Sequence, residues 1–276
     1  MQRTTDPGRG SRPPGRALLA LLVALIPLGS GCITVGERQP DDDRPVVLTT
    51  FTVLEDIAEN VAGDRLRIES ITKTGAEIHG YQPTPRDIAK ASEADLILDN
   101  GLNLEAWFDQ FVASLDVPHV VVSQGVDVVD ITEDSYAGKP NPHAWMSAVN
   151  AQIYVDNMVA AFSELEPAYS KEFAANGAAY KRELQRVHQE MVTQLEALPE
   201  NERALVSCEG AFSYLARDAG LKEKYIWPVN AEQQATPQQI ADTIEFVRDQ
   251  DVPAVFCEST VSDAPMQQVV AATDAV

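Results

Sequence analysis

The chain has 276 residues, and its 21 Lys and Arg stand against 42 Asp and Glu, giving a net charge of −21 at neutral pH. So acidic a composition leaves no basic patch that could neutralise phosphates, which argues against a nucleic-acid partner. It fits a protein that works outside the cytoplasm and concentrates cations near its surface, although acidity alone defines no specific cation site.

The N-terminal segment has the layout of a secretory signal. Four arginines within the first sixteen residues precede the apolar run ALLALLVALIPLG, and small residues then lead to Cys32. The run is shorter than the about 20 residues that a membrane span needs. LGSGC (28–32) resembles a bacterial lipoprotein box, so we expect residues 1–31 to be a lipoprotein signal peptide and Cys32 to anchor the protein to the cell membrane. The alternative is an ordinary signal peptide with an incidental cysteine.

The segment after this signal is predicted to be a tether. Removal of residues 1–31 takes four Arg and one Asp from the totals of 21 and 42, leaving 17 basic and 41 acidic residues and a net charge of −24. Residues 32–45, which include TVGERQPDDDRP, lack apolar periodicity and are predicted to be flexible.

From residue 46 onward, strand and helix patterns alternate. In the first half, strand patterns at VVLTTF, LRIESIT, DLILDNG and PHVVVSQG are separated by helix patterns at VLEDIAENVAG, TPRDIAKASEA and LEAWFDQFVASL. The second half has strand patterns RALVSCEG, KYIWPVN and PAVFCEST, and helix patterns AFSYLARDAG, TPQQIADTIEFVRDQ (capped at Thr236) and APMQQVVAATDA. Such alternation predicts βαβ units and parallel sheets.

A long polar stretch separates the two halves. Residues 170–199 contain one glycine, and apolar residues recur there at spacings of three and four. They predict one helix of roughly 40 Å at about 1.5 Å per residue. We therefore expect an α/β protein with lobes at 46–169 and 200–276, each a parallel-type sheet flanked by helices, joined by this rigid helix. Without a loop hinge, the lobes should rock only slightly.

Two cysteines remain beyond the signal. Cys208 and Cys257 each end an apolar, strand-like run and are each followed by Glu. In an exported chain such a pair predicts a disulfide, because equivalent ends of neighbouring strands bring the sulfurs within bonding distance. The alternative is two buried free thiols.

Two of the four histidines are candidate metal ligands. His119 precedes a strand and His188 lies among polar helix residues, so both are interpreted as ordinary. His79, in EIHGYQPTPRD, and His143, in KPNPHAW, lie in loops stiffened by proline. Glu209 ends a strand of the second half. Because ligands bind beyond the carboxyl ends of strands in open α/β sheets, we expect these three side chains to meet between the lobes and hold Mn²⁺, Fe²⁺ or Zn²⁺.

From about residue 46 to its end, the chain resembles the solute-binding proteins of manganese, iron and zinc ABC importers. The stretches that carry the resemblance are EIHGYQPTPRD, NPHAWMSAVN, SCEGAFSYLARDAGL, and YIWPVNAEQQATPQQI followed by VFCESTVSDAPM. The resemblance implies that His79, His143 and Glu209 are metal ligands and that each lobe has a four-stranded sheet. It also implies a monomeric, non-enzymatic protein that delivers its ion to an ABC permease.

The same resemblance implies a fourth ligand, an aspartate after one further strand. No such segment precedes Val276, so we expect the second lobe to be incomplete in this sequence. Asp263 and Asp274 match no ligand position.

The donor set favours manganese, then iron. The third position is Glu209 where zinc members of the family usually carry histidine, and residues 124–142 contain no histidine. Such a set suits the higher coordination of Mn²⁺ or Fe²⁺ better than tetrahedral Zn²⁺, and a zinc-specific protein of the same fold is the alternative.

Two other classes of protein compete with this interpretation. A non-haem iron enzyme also uses two histidines and a carboxylate, but often takes two of them from a tight His-x-Asp/Glu pair. Here the three are separated by 64 and 66 residues. An adhesin in which the metal is only structural is the second rival.

Overall fold

The computed structural model describes residues 42–112, 115–229 and 235–276. The predicted signal peptide, Cys32 and most of the predicted tether lie outside these ranges. Among the helices described, none combines the length and the apolar character that crossing a membrane would need.

The first lobe contains a parallel four-stranded sheet in the order β2-β1-β3-β4, as the alternation predicts. Its strands are β1 (Val46–Thr49), β2 (Arg67–Ser70), β3 (Leu96–Asp99) and β4 (His119–Val121). The helices between them are α1 (Thr52–Ala62), α2 (Pro85–Ser92) and α3 (Phe108–Val112).

Both faces of this sheet are covered. Val47 and Leu98 belong to the core shared with α1, whereas their neighbours Leu48 and Ile97 pack with α3 on the other side. Successive residues of a strand point to opposite faces, so burial of both faces requires the unbroken apolar runs seen in the sequence.

α3 is shorter than the helix predicted from LEAWFDQFVASL. Leu102 and Asn103 have φ values of 54° and 63°, outside the helical region. Glu105 is buried, and its carboxylate accepts hydrogen bonds from the Thr50 hydroxyl at 2.6 Å and from the Asn100 backbone N–H at 2.9 Å. Residues 102–107 therefore form turns that bring this carboxylate inward, and the helix begins only at Phe108.

A helix that the strand and helix patterns do not predict, α4 (Ala148–Leu165), covers the same core. Ser147 caps it by accepting hydrogen bonds from the N–H groups of Val149 and Asn150. The signal in the sequence is the spacing of Tyr154, Met158 and Phe162, which are all fully buried.

The predicted long helix is present as α5 (Ser170–Glu196), with 27 residues. It packs against α4 and α1 and also contacts the second lobe at α6 (Ser213–Ala219). Gly177 is the point of closest approach, since a Cβ there would lie 2.6 Å from a methyl of Val159 and 3.2 Å from one of Val155. The glycine lets α4 and α5 lie against each other.

The described part of the second lobe has a two-stranded parallel sheet, β5 (Ala204–Glu209) and β6 (Lys222–Trp227). Its other helices are α7 (Pro237–Asp249) and α8 (Ala264–Ala272). The predicted cap of α7 at Thr236 is confirmed, because Thr236 and Gln239 exchange the hydrogen bonds of a capping box.

The strand predicted at PAVFCEST, residues 253–260, is absent. Phe256 donates a backbone hydrogen bond to Val206 of β5 at 2.8 Å, but the N–H of Val255 bonds to Val276. The segment therefore lies beside β5 without a continuous ladder. Among the described residues the second sheet has two strands, and not the four that the resemblance implies.

We expect Gly177→Leu to destabilise the protein by about 1–3 kcal/mol, because the added side chain cannot fit between α4 and α5. The matched control is Ala178→Leu, which places the same side chain at the exposed neighbouring position and should change stability by less than about 0.5 kcal/mol. Urea denaturation followed by circular dichroism measures both. Equal midpoints for the two variants would contradict the close helix packing.

Candidate metal centre

The structure brings His79, His143 and Glu209 into one place. His79 lies in the loop between β2 and α2, His143 lies just before α4, and Glu209 is the last residue of β5. The Nε2 atoms of the two histidines are 3.1 Å apart, and Glu209 Oε1 lies 3.4 Å from that of His79 and 3.8 Å from that of His143. Their side chains are only 9%, 3% and 8% exposed. The first lobe thus contributes two imidazoles and the second one carboxylate.

These separations suit a shared cation. The donor atoms are 3.1, 3.4 and 3.8 Å from each other. If each lay about 2.1 Å from one ion, the angles between donors at that ion would be roughly 95° to 130°. Such angles are within the range of ordinary metal coordination. The three residues line a cavity of about 400 Å³, together with Glu258. The arrangement can therefore hold one small divalent ion.

The His79 loop is fixed mainly by hydrogen bonds. The Glu77 carboxylate accepts the backbone N–H of His79 at 2.6 Å and that of Gly80 at 2.7 Å. The indole N–H of Trp107 donates to the carbonyl of Ile78 at 3.0 Å. Three consecutive residues are held in this way, which limits the positions that the imidazole can take.

The His143 loop is held from the interior of the first lobe. Asn100 donates its side-chain N–H to the carbonyl of Pro142 at 2.9 Å, and its own amide oxygen accepts from the hydroxyl of Tyr154 at 2.6 Å. The side-chain oxygen of Asn141 accepts the backbone N–H of His143 at 3.0 Å. Asn100 and Tyr154 are fully buried, so α4 and the end of β3 together fix this loop.

Glu209 is fixed by the segment beside β5. Its backbone N–H lies 3.3 Å from both carboxylate oxygens of Glu258. The preceding residue, Cys208, forms a disulfide with Cys257, as predicted. Two adjacent residues of β5 are thus linked to two adjacent residues of the second segment.

The pKa values of the two imidazoles are shifted in opposite directions. Burial lowers the pKa of His143 to about 4, since the charge of Glu209 offsets only part of the desolvation. Burial also disfavours protonation of His79, but its contact with the Glu209 carboxylate and that group's charge outweigh this effect, so the pKa of His79 is raised above its usual 6.5. Burial raises the pKa of Glu258 to about 7, and the neighbouring charge of Glu209 acts in the same direction. At neutral pH His143 is therefore uncharged, the form that can donate a lone pair.

Other candidates lie outside this cluster. His119 on β4 and His188 on α5 belong to no group of potential metal ligands among the described residues, and neither do Asp263 and Asp274. A second group, of Cys208, Cys257 and Glu258, has both sulfurs in the disulfide and so offers no thiolate.

Several supporting residues were not among the predicted ones, and Glu77, Asn141 and Glu258 are three of them. Glu77 and Asn141 each stand two residues before a candidate histidine, which is the only signal that the sequence gives of them. Glu258 follows Cys257 as Glu209 follows Cys208, so the disulfide pairing places the two glutamates side by side.

Comparison with known proteins gives a consistent picture. A family model described as ZnuA, zinc-uptake complex component A, periplasmic, matches residues 47–276. The iron-binding protein YfeA of Yersinia pestis is 50% identical over 238 residues, which are 85% of this chain and 76% of that protein. The manganese ABC transporter substrate-binding lipoprotein PsaA of Streptococcus pneumoniae is 35% identical over 261 residues, 92% of this chain and 84% of that protein. The Mn-bound periplasmic metal-binding protein of Candidatus Liberibacter asiaticus superposes with a TM-score of 0.78 at 34% identity, covering 84% of this chain and 86% of that one.

We expect replacement of both cysteines by alanine to destabilise the second lobe by about 4 kcal/mol, since the disulfide closes a loop with a sequence separation of 49. Guanidinium unfolding followed by tryptophan fluorescence measures the loss. Reduction of the native protein, with its side chains unchanged, is the control and should lower the unfolding midpoint to a similar extent. Identical midpoints for the oxidised and reduced native protein would contradict a stabilising cross-link.

Proposed function

The chain belongs to the family of periplasmic metal-uptake components described as ZnuA, and on that basis we propose that it captures one divalent transition metal between its lobes and delivers it to an ABC permease. We assign His79, His143 and Glu209 as the ligands. The observation that carries this assignment is the approach of their three donor atoms, from two lobes, to within 3.1–3.8 Å of each other in a buried cleft.

We propose Mn²⁺ as the preferred ion, followed by Fe²⁺. One carboxylate among three donors makes the set harder than an all-imidazole site, which favours oxygen-preferring ions of higher coordination number. The relative from S. pneumoniae is named for manganese and that from Y. pestis for iron. Intrinsic affinity still follows the Irving–Williams order, so zinc should bind at least as tightly in vitro.

Capture would depend on both lobes together. The first lobe presents two imidazoles and the second presents the carboxylate, so full coordination requires that the lobes be close. An ion that binds only this arrangement shifts the population towards it, by an amount set by the difference in its affinity for the two states. Because α5 contacts both lobes as one continuous helix, we propose that this shift is a small rocking motion which the permease detects.

The ion would be cargo and would undergo no reaction. Relatives of this chain are named as substrate-binding components of transporters. The non-haem iron enzyme remains the competing class, and it differs in requiring turnover of oxygen and a co-substrate. We propose reversible binding of one ion, by a monomer attached to the outer face of the cell membrane through lipidated Cys32. Several streptococcal relatives are named lipoproteins, which supports this anchor.

We expect His79→Ala and Glu209→Ala each to lower the affinity for Mn²⁺ by at least about 100-fold, because loss of a ligand should cost no less than loss of a supporting contact. His188→Ala is the matched control and should bind as the native protein does. Isothermal titration with Mn²⁺, Fe²⁺ and Zn²⁺ in competition measures the three variants and the native protein. Native affinity in both site variants would rule out the assignment.

We expect the affinity for Mn²⁺ to fall as the pH is lowered through the raised pKa of His79, by about tenfold per pH unit, because one proton must leave the imidazole for each ion bound. His143 adds a second proton only near pH 4. Titrations between pH 5 and 8.5 give the slope. Glu258→Gln is the control, since the pKa of Glu258 lies near 7, and this variant should keep the slope. Affinity that stays constant down to pH 5 would contradict ligation by His79.

A further inference from the structure

Asn141 contacts the ligand-bearing segments of both lobes. Its side-chain oxygen accepts the backbone N–H of His143 at 3.0 Å and lies 3.1 Å from the ring Nδ1 of the same residue. Its side-chain nitrogen donates to the carbonyl of Gly210 at 2.7 Å and lies 3.3 Å from the hydroxyl of Ser213. Gly210 directly follows Glu209, and Asn141 is only 2% exposed. One buried amide therefore joins the His143 loop to the end of β5.

Two backbone groups determine the orientation of this amide, because one can only accept a hydrogen bond and the other can only donate one. A backbone carbonyl can only accept a hydrogen bond, so the Gly210 oxygen must face the NH₂ group of Asn141. A backbone N–H can only donate, so that of His143 must face the amide oxygen. Both requirements select the same orientation, which removes the usual ambiguity between oxygen and nitrogen in an asparagine side chain.

The Gly210 carbonyl is itself fixed. The N–H of Gly210 donates to the carbonyl of Trp227 at the end of β6 at 2.9 Å. A Cβ at this position would lie 2.6 Å from the carbonyl oxygen of Pro228, so only glycine fits here without a shift of backbone. The second-lobe hydroxyl of Tyr214 also donates to the backbone carbonyl of Asn141, at 2.7 Å. The second lobe therefore presents two well-placed partners to residue 141.

The oriented amide determines which ring nitrogen of His143 carries the proton. Because the amide oxygen faces Nδ1, that nitrogen must be the donor, and in a neutral imidazole the other nitrogen then has the lone pair. This other nitrogen, Nε2, is the atom that faces His79 and Glu209. The opposite tautomer would direct an N–H into the site and could not ligate an ion.

We propose that Asn141 is a positioning residue with two roles: its amide oxygen selects the ion-binding tautomer of His143 in the first lobe, and its NH₂ group holds the His143 loop to the second lobe. The inference rests on the proposed function only in taking Nε2 as a ligand atom. The same side chain therefore serves both lobes, since its oxygen faces Nδ1 of His143 and its nitrogen faces the Gly210 carbonyl.

The first test uses the metal-free, full-length protein with ¹⁵N in its histidine side chains. Long-range ¹H–¹⁵N spectra at pH 8 distinguish a protonated from an unprotonated ring nitrogen, and the His143 signals are identified by their loss in His143→Gln. We expect Nδ1–H in the native protein and in Asn141→Asp, which keeps an acceptor facing the ring. Asn141→Ala should lose that preference, and its affinity for Mn²⁺ should fall about 10–100-fold.

The second test measures the contact between lobes. Keto amino acids are introduced at two exposed positions, 93 in the first lobe and 245 in the second, and each carries a spin label. The pair of labels reports the distribution of distances between the lobes. Asn141→Asp replaces the donor to Gly210 by an acceptor, so it should broaden this distribution while the Nδ1–H signal persists. Asn157→Asp is the matched control, since Asn157 donates to the carbonyls of Val122 and Gln124 within the first lobe and should affect neither reading.

Clear results would overturn the proposal. A proton on Nε2 of His143 in the native protein would overturn it, whether or not any variant folds. An unchanged Nδ1–H signal in folded Asn141→Ala would also overturn it. A native-like distance distribution in Asn141→Asp would contradict the second role, that of holding the His143 loop to the second lobe. These readings need no metal, so they are independent of the titrations that test the proposed ligands.

Discussion

The structure depends on the meeting of two parallel sheets at their carboxyl ends. Each sheet alone can present side chains from the loops that follow its strands, but only the pair brings two imidazoles and a carboxylate within 3.1–3.8 Å. Burial of a carboxylate is unfavourable unless hydrogen bonds or an opposite charge offset its desolvation. Glu209 is 8% exposed, and a divalent cation between its carboxylate and the two imidazoles would offset part of this cost.

The supporting contacts explain how such a set is maintained. The His79 loop is held by Glu77, the His143 loop by Asn100 and Asn141, and the end of β5 by Glu258 and the disulfide. Most of these contacts are made to backbone groups, so they fix the path of the chain on which the three side chains stand. The helix α5 adds a constraint on the scale of the whole molecule, because it packs closely on α4 through Gly177.

The three residues that we propose as ligands could be predicted from sequence. His79 and His143 stand next to prolines and Glu209 ends an apolar strand, so each is recognisable within a few neighbouring residues. The proposed role of Asn141 in joining the lobes could not be predicted, because its side chain meets Gly210, 69 residues away, only in the folded protein. The alternation of strands and helices is confirmed for most elements. The prediction is wrong at residues 253–260, where Val255 bonds to Val276 and not to a neighbouring strand. The alternation also does not predict α4, because this helix lies in a region without strands and only its apolar spacing indicates it.

The bond between Cys208 and Cys257 has a consequence for when the receptor matures. Cytosolic thiols are kept reduced, whereas the compartments outside the inner membrane permit oxidation. A newly made chain therefore passes through the cytosol before β5 is cross-linked to the segment that carries Glu258. The cross-linked form of the lobe would therefore be completed only after export.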